Sequence, residues 1–239
     1  MVEFRNLSDL GYELTESLRA IKTNLQFLGD DIKTILFTSS APNEGKSTVV
    51  FSLARSMAAS GKKVLLIDAD IRKSVLVGRL MAKNTEGRTI LGLTHYLSGQ
   101  NTMEEVLYET NVKGISIIFS GPSVVNPTEI LEKKYFGRLL EAVKDDYDYI
   151  LIDSPPIGAA IDAAVLARHC DGVILIVAQD MVHSRAIAAT KKQMEAAGVP
   201  ILGAIMNKVD TKNSRYGGYY GSYYGSYYGD YYRQEDVKK

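Results

Sequence analysis

A glycine-lysine-serine-threonine sequence is the first part of this chain whose residue types and spacing could do chemistry. Gly45 lets the backbone approach a phosphate closely, Lys46 can reach the β and γ phosphates of a nucleotide, and Ser47 can ligate magnesium. We therefore predict a site for ATP and Mg²⁺. Its predicted loop residues are Ser40, Ala41, Pro42, Asn43, Glu44, Gly45, Lys46, Ser47 and Thr48.

Ser40 departs from the full phosphate-loop pattern, which has glycine five positions before Gly45. Serine is tolerable there if its backbone is not forced to a positive φ. A strand pattern precedes the loop and a helical pattern follows it, as this motif requires. We therefore interpret residues 40–48 as a nucleotide-binding loop and not as a fortuitous turn.

Three aspartates follow predicted strands. Asp68 and Asp70 come after one apolar run, and Asp153 ends another. Each could be a solvated or capping carboxylate, but Mg²⁺ at a triphosphate needs carboxylates to orient its waters. We predict Ser47, Asp70 and Asp153 as metal ligands. One of the pair Asp68 and Asp70, expected on one side of an extended strand, would accept a proton from an incoming hydroxyl.

Arg72 follows this pair and has two interpretations. It could complete the active site, or it could pair structurally with an acid. We favour the first, so the predicted catalytic residues are Lys46, Asp68, Asp70, Arg72 and Asp153.

A run of tyrosines near the carboxyl end offers hydroxyl acceptors. Nine of the fifteen tyrosines occur there, separated by glycine and serine. Such a segment has no continuous apolar face to bury, so we expect it to stay flexible. Phenol has a pKa near 10, so a nearby carboxylate would assist its attack on a phosphoryl group. The predicted acceptors are Tyr216, Tyr219, Tyr220, Tyr223, Tyr224, Tyr227, Tyr228, Tyr231 and Tyr232.

Composition indicates an ordinary cored domain. Hydrophobic residues make up 46% of the chain, and 28 basic residues balance 28 acidic ones, so no global field attracts nucleic acid. Cys170 is the single cysteine, and no apolar run approaches the roughly 20 residues that span a bilayer. These features predict a cytoplasmic protein whose membrane association would come through a partner.

Alternating apolar and helical patterns predict the fold class. The pattern favours an α/β P-loop NTPase with a mostly parallel sheet covered by helices on both faces. We predict one domain over residues 1–213 and a flexible tail over 214–239. Predicted strands lie at 32–38, 64–67, 115–119, 149–152, 173–177 and 201–206, and predicted helices at 46–60, 128–145, 160–169 and 184–197.

An amino-terminal helix is predicted within residues 1–30, with Ser8 as a possible cap. Its apolar positions recur every three or four residues and are Leu14, Leu18, Ile21, Leu25 and Leu28. This strip could pack on its own domain or contact another subunit. Beside it lies a polar ridge of Glu16, Arg19 and Lys22, which could equally be a solvated surface.

Three sequences carry a resemblance to a known family. Residues 39–48, the run Leu65-Leu-Ile-Asp-Ala-Asp-Ile-Arg72 and the run Ile150-Leu-Ile-Asp-Ser-Pro-Pro156 resemble the three Walker motifs of bacterial tyrosine kinases. With the tyrosine cluster, the chain resembles the cytoplasmic kinase of a Gram-positive capsule or exopolysaccharide locus. The resemblance implies Asp68 as the base, although exchanged roles with Asp70 stay open.

The same resemblance implies partners. These are a membrane adaptor of the polysaccharide co-polymerase type, which recruits the kinase to the inner face of the membrane, and a tyrosine phosphatase. The resemblance also implies autophosphorylation of the tail between subunits of a ring. The family's oligomerisation motif of one glutamate and two arginines maps onto Glu16, Arg19 and Lys22, where lysine cannot reproduce the planar fork of the second arginine.

Three alternatives stay open. Asn207-Lys208-Val209-Asp210 has the form of a guanine-reading motif, which would make the protein a GTPase; in a kinase, Asn207 would lie near adenine. A regulatory ATPase of the partition or septum-site type would carry a lysine where this chain has Ala41. The third alternative is a binding module whose tail stacks or self-associates, for single-stranded nucleic acid or sugar. To neutralise a phosphate backbone it would need arginines among the tyrosines, and the tail has them only at its margins.

Overall fold

Nine strands form two sheets in the computed structural model, which describes residues 1–210. The predicted tail, residues 214–239, lies outside the described residues. The strands are β1 (Val2–Glu3), β2 (Thr34–Ser39), β3 (Val64–Asp68), β4 (Lys83–Asn84), β5 (Leu107–Glu109), β6 (Ile115–Ile118), β7 (Tyr149–Asp153), β8 (Gly172–Ala178) and β9 (Ile201–Asn207).

Nine helices connect and cover these strands within the same residues 1–210. They are α1 (Tyr12–Gln26), α2 (Lys46–Ala59), α3 (Leu76–Arg79), α4 (Leu93–Leu97), α5 (Met103–Val106), α6 (Pro127–Leu131), α7 (Tyr135–Val143), α8 (Asp162–Ala167) and α9 (Ser184–Ala196). The predicted helix over 128–145 is therefore two helices, and Pro127 is the first residue of α6. Proline fits that position because its missing N–H would have no intrahelical acceptor.

The main sheet has the order β5-β6-β3-β7-β2-β8-β9. All neighbours in it are parallel except the β5 and β6 pair at one edge. The central strands β2 and β3 are buried along their whole length, as expected for continuous apolar runs covered on both faces. The predicted α/β fold with a mostly parallel sheet and helices on both faces is confirmed.

Two apolar clusters, one on each face, complete the layers. Side chains of α1 and α2 pack on one face, and those of α6, α7, α8 and α9 pack on the other. Strand β7 lies between β3 and β2. The carboxyl ends of these three strands therefore meet at one edge of the sheet, where an open α/β fold places its ligands.

Helix α1 packs on α2 of the same chain. Leu18 and Leu25 are buried, and Ile21 packs against the same cluster. Leu14 and Leu28, at the two ends of the predicted strip, remain about 40% exposed (43% and 42%). The helix begins at Tyr12 after Gly11, so the prediction that Ser8 caps it is wrong.

Within residues 1–210, no helix combines the length and the apolar character that a bilayer span requires.

Candidate active site

The phosphate loop connects β2 to α2. Gly45 precedes the helix with φ 89°, a conformation that glycine adopts without strain, and Asn43 also has a positive φ of 65°. The first bond of the helix runs from Val49 N to Gly45 O at 3.0 Å. The N–H groups of Lys46, Ser47 and Thr48 thus lie in the first turn, which has no intrahelical acceptors. Together with the helix dipole, they form a cradle suited to phosphate.

Glu44 shapes this loop from inside. Its buried carboxylate accepts hydrogen bonds from Ala41 N at 2.7 Å and from Ala178 N at 2.9 Å, which ties the loop to the end of β8. Its side chain therefore supports the cradle from behind, while a contact between Glu44 and the nucleotide stays a prediction. The sequence analysis predicted Glu44 only as a nucleotide contact and missed its structural role in the loop.

Ser40 does not have a positive φ, which was the condition for serine at this position of the loop. Serine therefore causes no strain where the pattern has glycine. Its Oγ accepts a hydrogen bond from the Thr190 hydroxyl of α9 at 2.9 Å. Gly158 packs against it so closely that a Cβ there would lie 2.1 Å from Ser40 O.

Lys46 forms a buried ion pair with Asp153. The distance from Nζ to Oδ1 is 2.7 Å, and the side chains are 8% and 1% exposed. Asp153 pairs in register with Asp68 of β3, and side chains at such positions in neighbouring parallel strands point to the same face. Lys46, Asp68 and Asp153 therefore converge beside the start of α2.

Asp68 is the most perturbed carboxyl group of the site. Burial, followed by the charge of Asp153, raises its pKa from 3.8 to about 7; Asp70 raises it further, while the Ser74 hydrogen bond and Lys46 oppose the shift. Ser74 Oγ donates to Oδ2, and Asp70 N donates to Oδ1 at 3.3 Å. A carboxyl group that titrates near neutral pH in a cluster of charges is a candidate general base.

Asp70 lies beyond the strand. β3 ends at Asp68, so the expectation that both side chains project from one extended strand is wrong. Asp70 is half-buried, and its Oδ1 accepts hydrogen bonds from Arg72 N at 3.3 Å and Lys73 N at 3.0 Å. The two carboxylates still act on each other electrostatically, since Asp70 raises the pKa of Asp68.

Arg72 pairs with Asp162, the first residue of α8. Its Nε lies 2.6 Å from Oδ2 and its Nη2 lies 3.0 Å from Oδ1. This geometry corresponds to the structural pairing that the sequence left open. The catalytic role that we favoured for Arg72 stays a prediction.

Asn207 approaches the loop from β9. Its amide Nδ2 donates to Glu44 O at 2.8 Å, and Lys208 Nζ donates to Asn43 O at 2.7 Å. A Cβ at Gly45 would lie 2.2 Å from that amide nitrogen. Asn207 therefore supports the outer side of the cradle, and its predicted contact with adenine stays a prediction.

The donors of this site fit Mg²⁺ bound with a nucleotide. Lys46 pairs with Asp153 and acts electrostatically on Asp68, while Asp70 lies close enough to Asp68 to raise its pKa, so hard carboxylate oxygens collect beside the cradle. Within residues 1–210 no three His, Cys, Asp or Glu side chains are grouped as a self-sufficient metal site. A magnesium ion bound with a nucleotide needs only one or two carboxylates, because water and the substrate phosphates supply its other ligands.

Comparison with known proteins identifies the family of this chain. The AAA domain family model matches residues 32–196. Tyrosine-protein kinase CpsD of Streptococcus agalactiae is 44% identical over 85% of this chain and 87% of its own length. Tyrosine-protein kinase YwqD of Bacillus subtilis is 37% identical over 86% of each. The chain belongs to the bacterial tyrosine-protein kinases.

A solved structure of the same kinase family agrees with the fold. The kinase domain of the Escherichia coli tyrosine kinase ETK is 30% identical and superposes with a TM-score of 0.75. The match covers 84% of this chain and 79% of the ETK chain. The predicted resemblance and the predicted protein-tyrosine kinase activity are thereby confirmed. Membership in these kinases also favours the kinase over the GTPase and partition-type alternatives.

Sequence reasoning missed the residues that hold the kinase site from behind. Asp162 stood in a predicted helix with no signal to distinguish it from a surface acid, and Ser74 stood in an irregular loop. The Thr48 hydroxyl accepts a hydrogen bond from Arg79 at the end of α3, and its predicted contact with the nucleotide stays a prediction. Contacts of this kind depend on how distant segments fold together, which local spacing does not encode.

Proposed function

We propose that this kinase transfers the γ-phosphoryl group of ATP to the tyrosines of its own carboxyl-terminal segment, and so regulates the synthesis and export of a capsular or extracellular polysaccharide. The convergence of Lys46, Asp68 and Asp153 beside the first turn of α2 is the observation that supports this proposal most. It joins a phosphate-binding cradle, a metal-binding carboxylate and a carboxyl group that titrates near pH 7.

The cradle holds and orients the phosphates in this mechanism. Backbone N–H groups at the start of α2 receive the anionic oxygens, and Lys46 exchanges its partner Asp153 for the β and γ phosphates. Ser47, Asp70 and Asp153 would hold Mg²⁺. When bound, this ion neutralises charge that develops on the transferred group.

Asp68 acts on the acceptor. Its carboxylate receives the phenolic proton as a new bond forms between the tyrosine oxygen and the γ phosphorus. The bond from that phosphorus to the bridging oxygen breaks, and ADP leaves with the electron pair. A pKa of about 7 for Asp68 matches the base to neutral pH.

The acceptors of the proposal lie outside the described residues. They are the nine tyrosines between residues 216 and 232. The proposed partners are a membrane adaptor of the polysaccharide co-polymerase type, which would bring the kinase to the inner face of the membrane, and a tyrosine phosphatase. A ring would form through Glu16, Arg19 and Lys22, which α1 presents at or near the surface.

Phosphate mapping tests this function. The purified full chain is incubated with magnesium ATP, with and without an adaptor segment, and phosphate on residues 216–232 is located by mass spectrometry. We expect modified tyrosines in the wild type and loss of at least about 10²-fold in rate for Lys46→Met and Asp68→Asn. Unmodified tyrosines in a stimulated wild type would refute the proposal, and tight preference for GTP in a competition assay would revive the GTPase alternative.

A further inference from the structure

A buried carboxylate outside the nucleotide cradle is linked to the catalytic segment. Asp162 has no exposed surface, and its oxygens accept two bonds from the Arg72 guanidinium. The Thr128 hydroxyl of α6 donates to Oδ1 at 2.7 Å. Because an unpaired buried charge is strongly unfavourable, Asp162 stays in place only while these partners remain.

The pairing reaches the catalytic carboxylates through the backbone of Arg72. Arg72 N and Lys73 N both donate to Asp70 Oδ1, and Asp70 N donates to Asp68 Oδ1. These bonds all depend on the path of residues 70–73. The bidentate contact of the Arg72 side chain with Asp162 anchors the far end of that path to α8.

Asp162 comes from the segment that follows β7, the strand that ends in Asp153. The link therefore couples the ends of β3 and β7 through side chains, in addition to their pairing in the sheet. Residues that fix the orientation of reacting groups typically matter for rate, because small displacements in an active site have large effects.

We propose that Asp162 is a positioning residue for phosphoryl transfer, which fixes the Asp68–Asp70 turn through the Arg72 guanidinium. The inference rests on the proposed roles of Asp68 and Asp70. Its effect should fall on turnover, because Asp162 contacts neither the phosphate loop nor Lys46 among its hydrogen-bond partners within residues 1–210.

Asp162→Asn is the direct test, since the amide keeps the shape but presents only one acceptor oxygen. The full chain is assayed with a synthetic peptide of residues 216–232 as acceptor. We expect kcat to fall about 10- to 100-fold, with ATP affinity changed less than about twofold. The double variant Asp162→Asn with Arg72→Gln should have the same kcat as Arg72→Gln alone, because each change breaks the same contact between Arg72 and Asp162.

Asp148→Asn is the matched control. Asp148 pairs with Lys62 at 3.3 Å and accepts Lys63 N at 2.7 Å, near the opposite end of β3 and β7. It should lower the unfolding temperature and leave kcat unchanged. If Asp162→Asn behaves in the same way, Asp162 is structural only and the proposal fails.

Thr128→Val provides a milder variant that keeps the charge pair. If Asp162→Asn does not fold, Thr128→Val is the deciding variant. A severalfold fall in its kcat at constant ATP affinity supports the proposal, and an unchanged kcat overturns it. A wild type that transfers no phosphate to the peptide or to its own tail would instead refute the proposed function.

Discussion

The aspartates of the site include buried carboxyl groups close to one another, where ionisation is unfavourable. Asp68 and Asp153 share Lys46, and each of the two carboxyl side chains is 1% exposed. Burial, followed by repulsion from Asp153, raises the pKa of Asp68 to about 7, so its carboxylate forms at neutral pH at a cost in free energy. The same environment makes it a stronger base than an exposed aspartate. Activity and stability are therefore in opposition at this position.

Asp68→Asn should stabilise the protein while abolishing transfer. The folded chain retains the Asp68 proton up to about pH 7, whereas the unfolded chain loses it near 3.8. Stability of the wild type therefore falls as pH rises between these values and carries the full cost above pH 7. We expect the unfolding temperature of the variant to exceed that of the wild type by more at pH 8 than at pH 5.

Thermal unfolding at the two pH values measures this difference. Each kcal/mol corresponds to about 2–4 °C for a domain of this size. Asp146→Asn, at an exposed position in the turn after α7, is the control for the same chemical change outside the site. If the unfolding temperature of Asp68→Asn exceeds that of the wild type equally at both pH values, ionisation of Asp68 does not destabilise the folded state, and the expectation is wrong.

At the scale of elements, the ends of strands assemble the site. Strand register brings Asp68 beside Asp153, and the end of β9 supports the phosphate loop through Asn207. Gly45 is the point of closest approach, since any Cβ there would overlap the Asn207 amide. The geometry of the cradle therefore depends on two strands that are far apart in the sequence.

Gly45→Ala should weaken ATP binding about tenfold, equivalent to about 1.4 kcal/mol. The added Cβ displaces the Asn207 amide and its hydrogen bond to Glu44 O. Gly87→Ala is the matched control, because Gly87 also has a positive φ but has open space around its Cβ position. Titration with a fluorescent ATP analogue measures both variants.

Shortening the neighbour should relieve the clash. The double variant Gly45→Ala with Asn207→Ala is expected to bind ATP more tightly than Gly45→Ala alone. If the two glycine variants lose the same affinity, strain in the backbone is sufficient and the contact with Asn207 is unimportant.

The elements that carry motifs were predictable from the sequence. The six parallel strands have apolar runs that local spacing detects, and the loop of residues 40–48 has a pattern dictated by phosphate chemistry. The short antiparallel strands β1, β4 and β5 were missed because pairs of two or three residues have no periodicity. Asp162 was missed because its role depends on Arg72, which lies 90 residues away.

At the scale of the whole molecule, a helix and a tail would govern assembly. Glu16 and Arg19 form an exposed ion pair on α1, 2.6 Å apart, and Lys22 donates to Ser60, the residue that follows α2. Surface pairs of this kind contribute little stability within a chain, so they are available for contacts between subunits. The ring itself stays a prediction.

Phosphorylation of the tail should weaken self-association. Each phosphotyrosine adds about 1.5 to 2 negative charges, so nine of them would add more than about ten charges to each subunit of the proposed ring. We expect the mean mass in light scattering to fall after treatment with magnesium ATP. Lys46→Met, treated with the same magnesium ATP, is the unphosphorylated control. An unchanged mean mass of the phosphorylated wild type would contradict this expectation.

The end of β9 has a further consequence. Lys208 Nζ donates to Asn43 O of the phosphate loop, and Asp210 N donates to Gln179 Oε1 at 3.2 Å, so the last described residues lie beside the cradle. Tyr216 follows six residues later, within roughly 20 Å of chain. Tethering of this kind corresponds to an effective concentration in the millimolar range. If the tail tyrosines are the acceptors, as proposed above, they would compete with foreign proteins for the active site until they are phosphorylated.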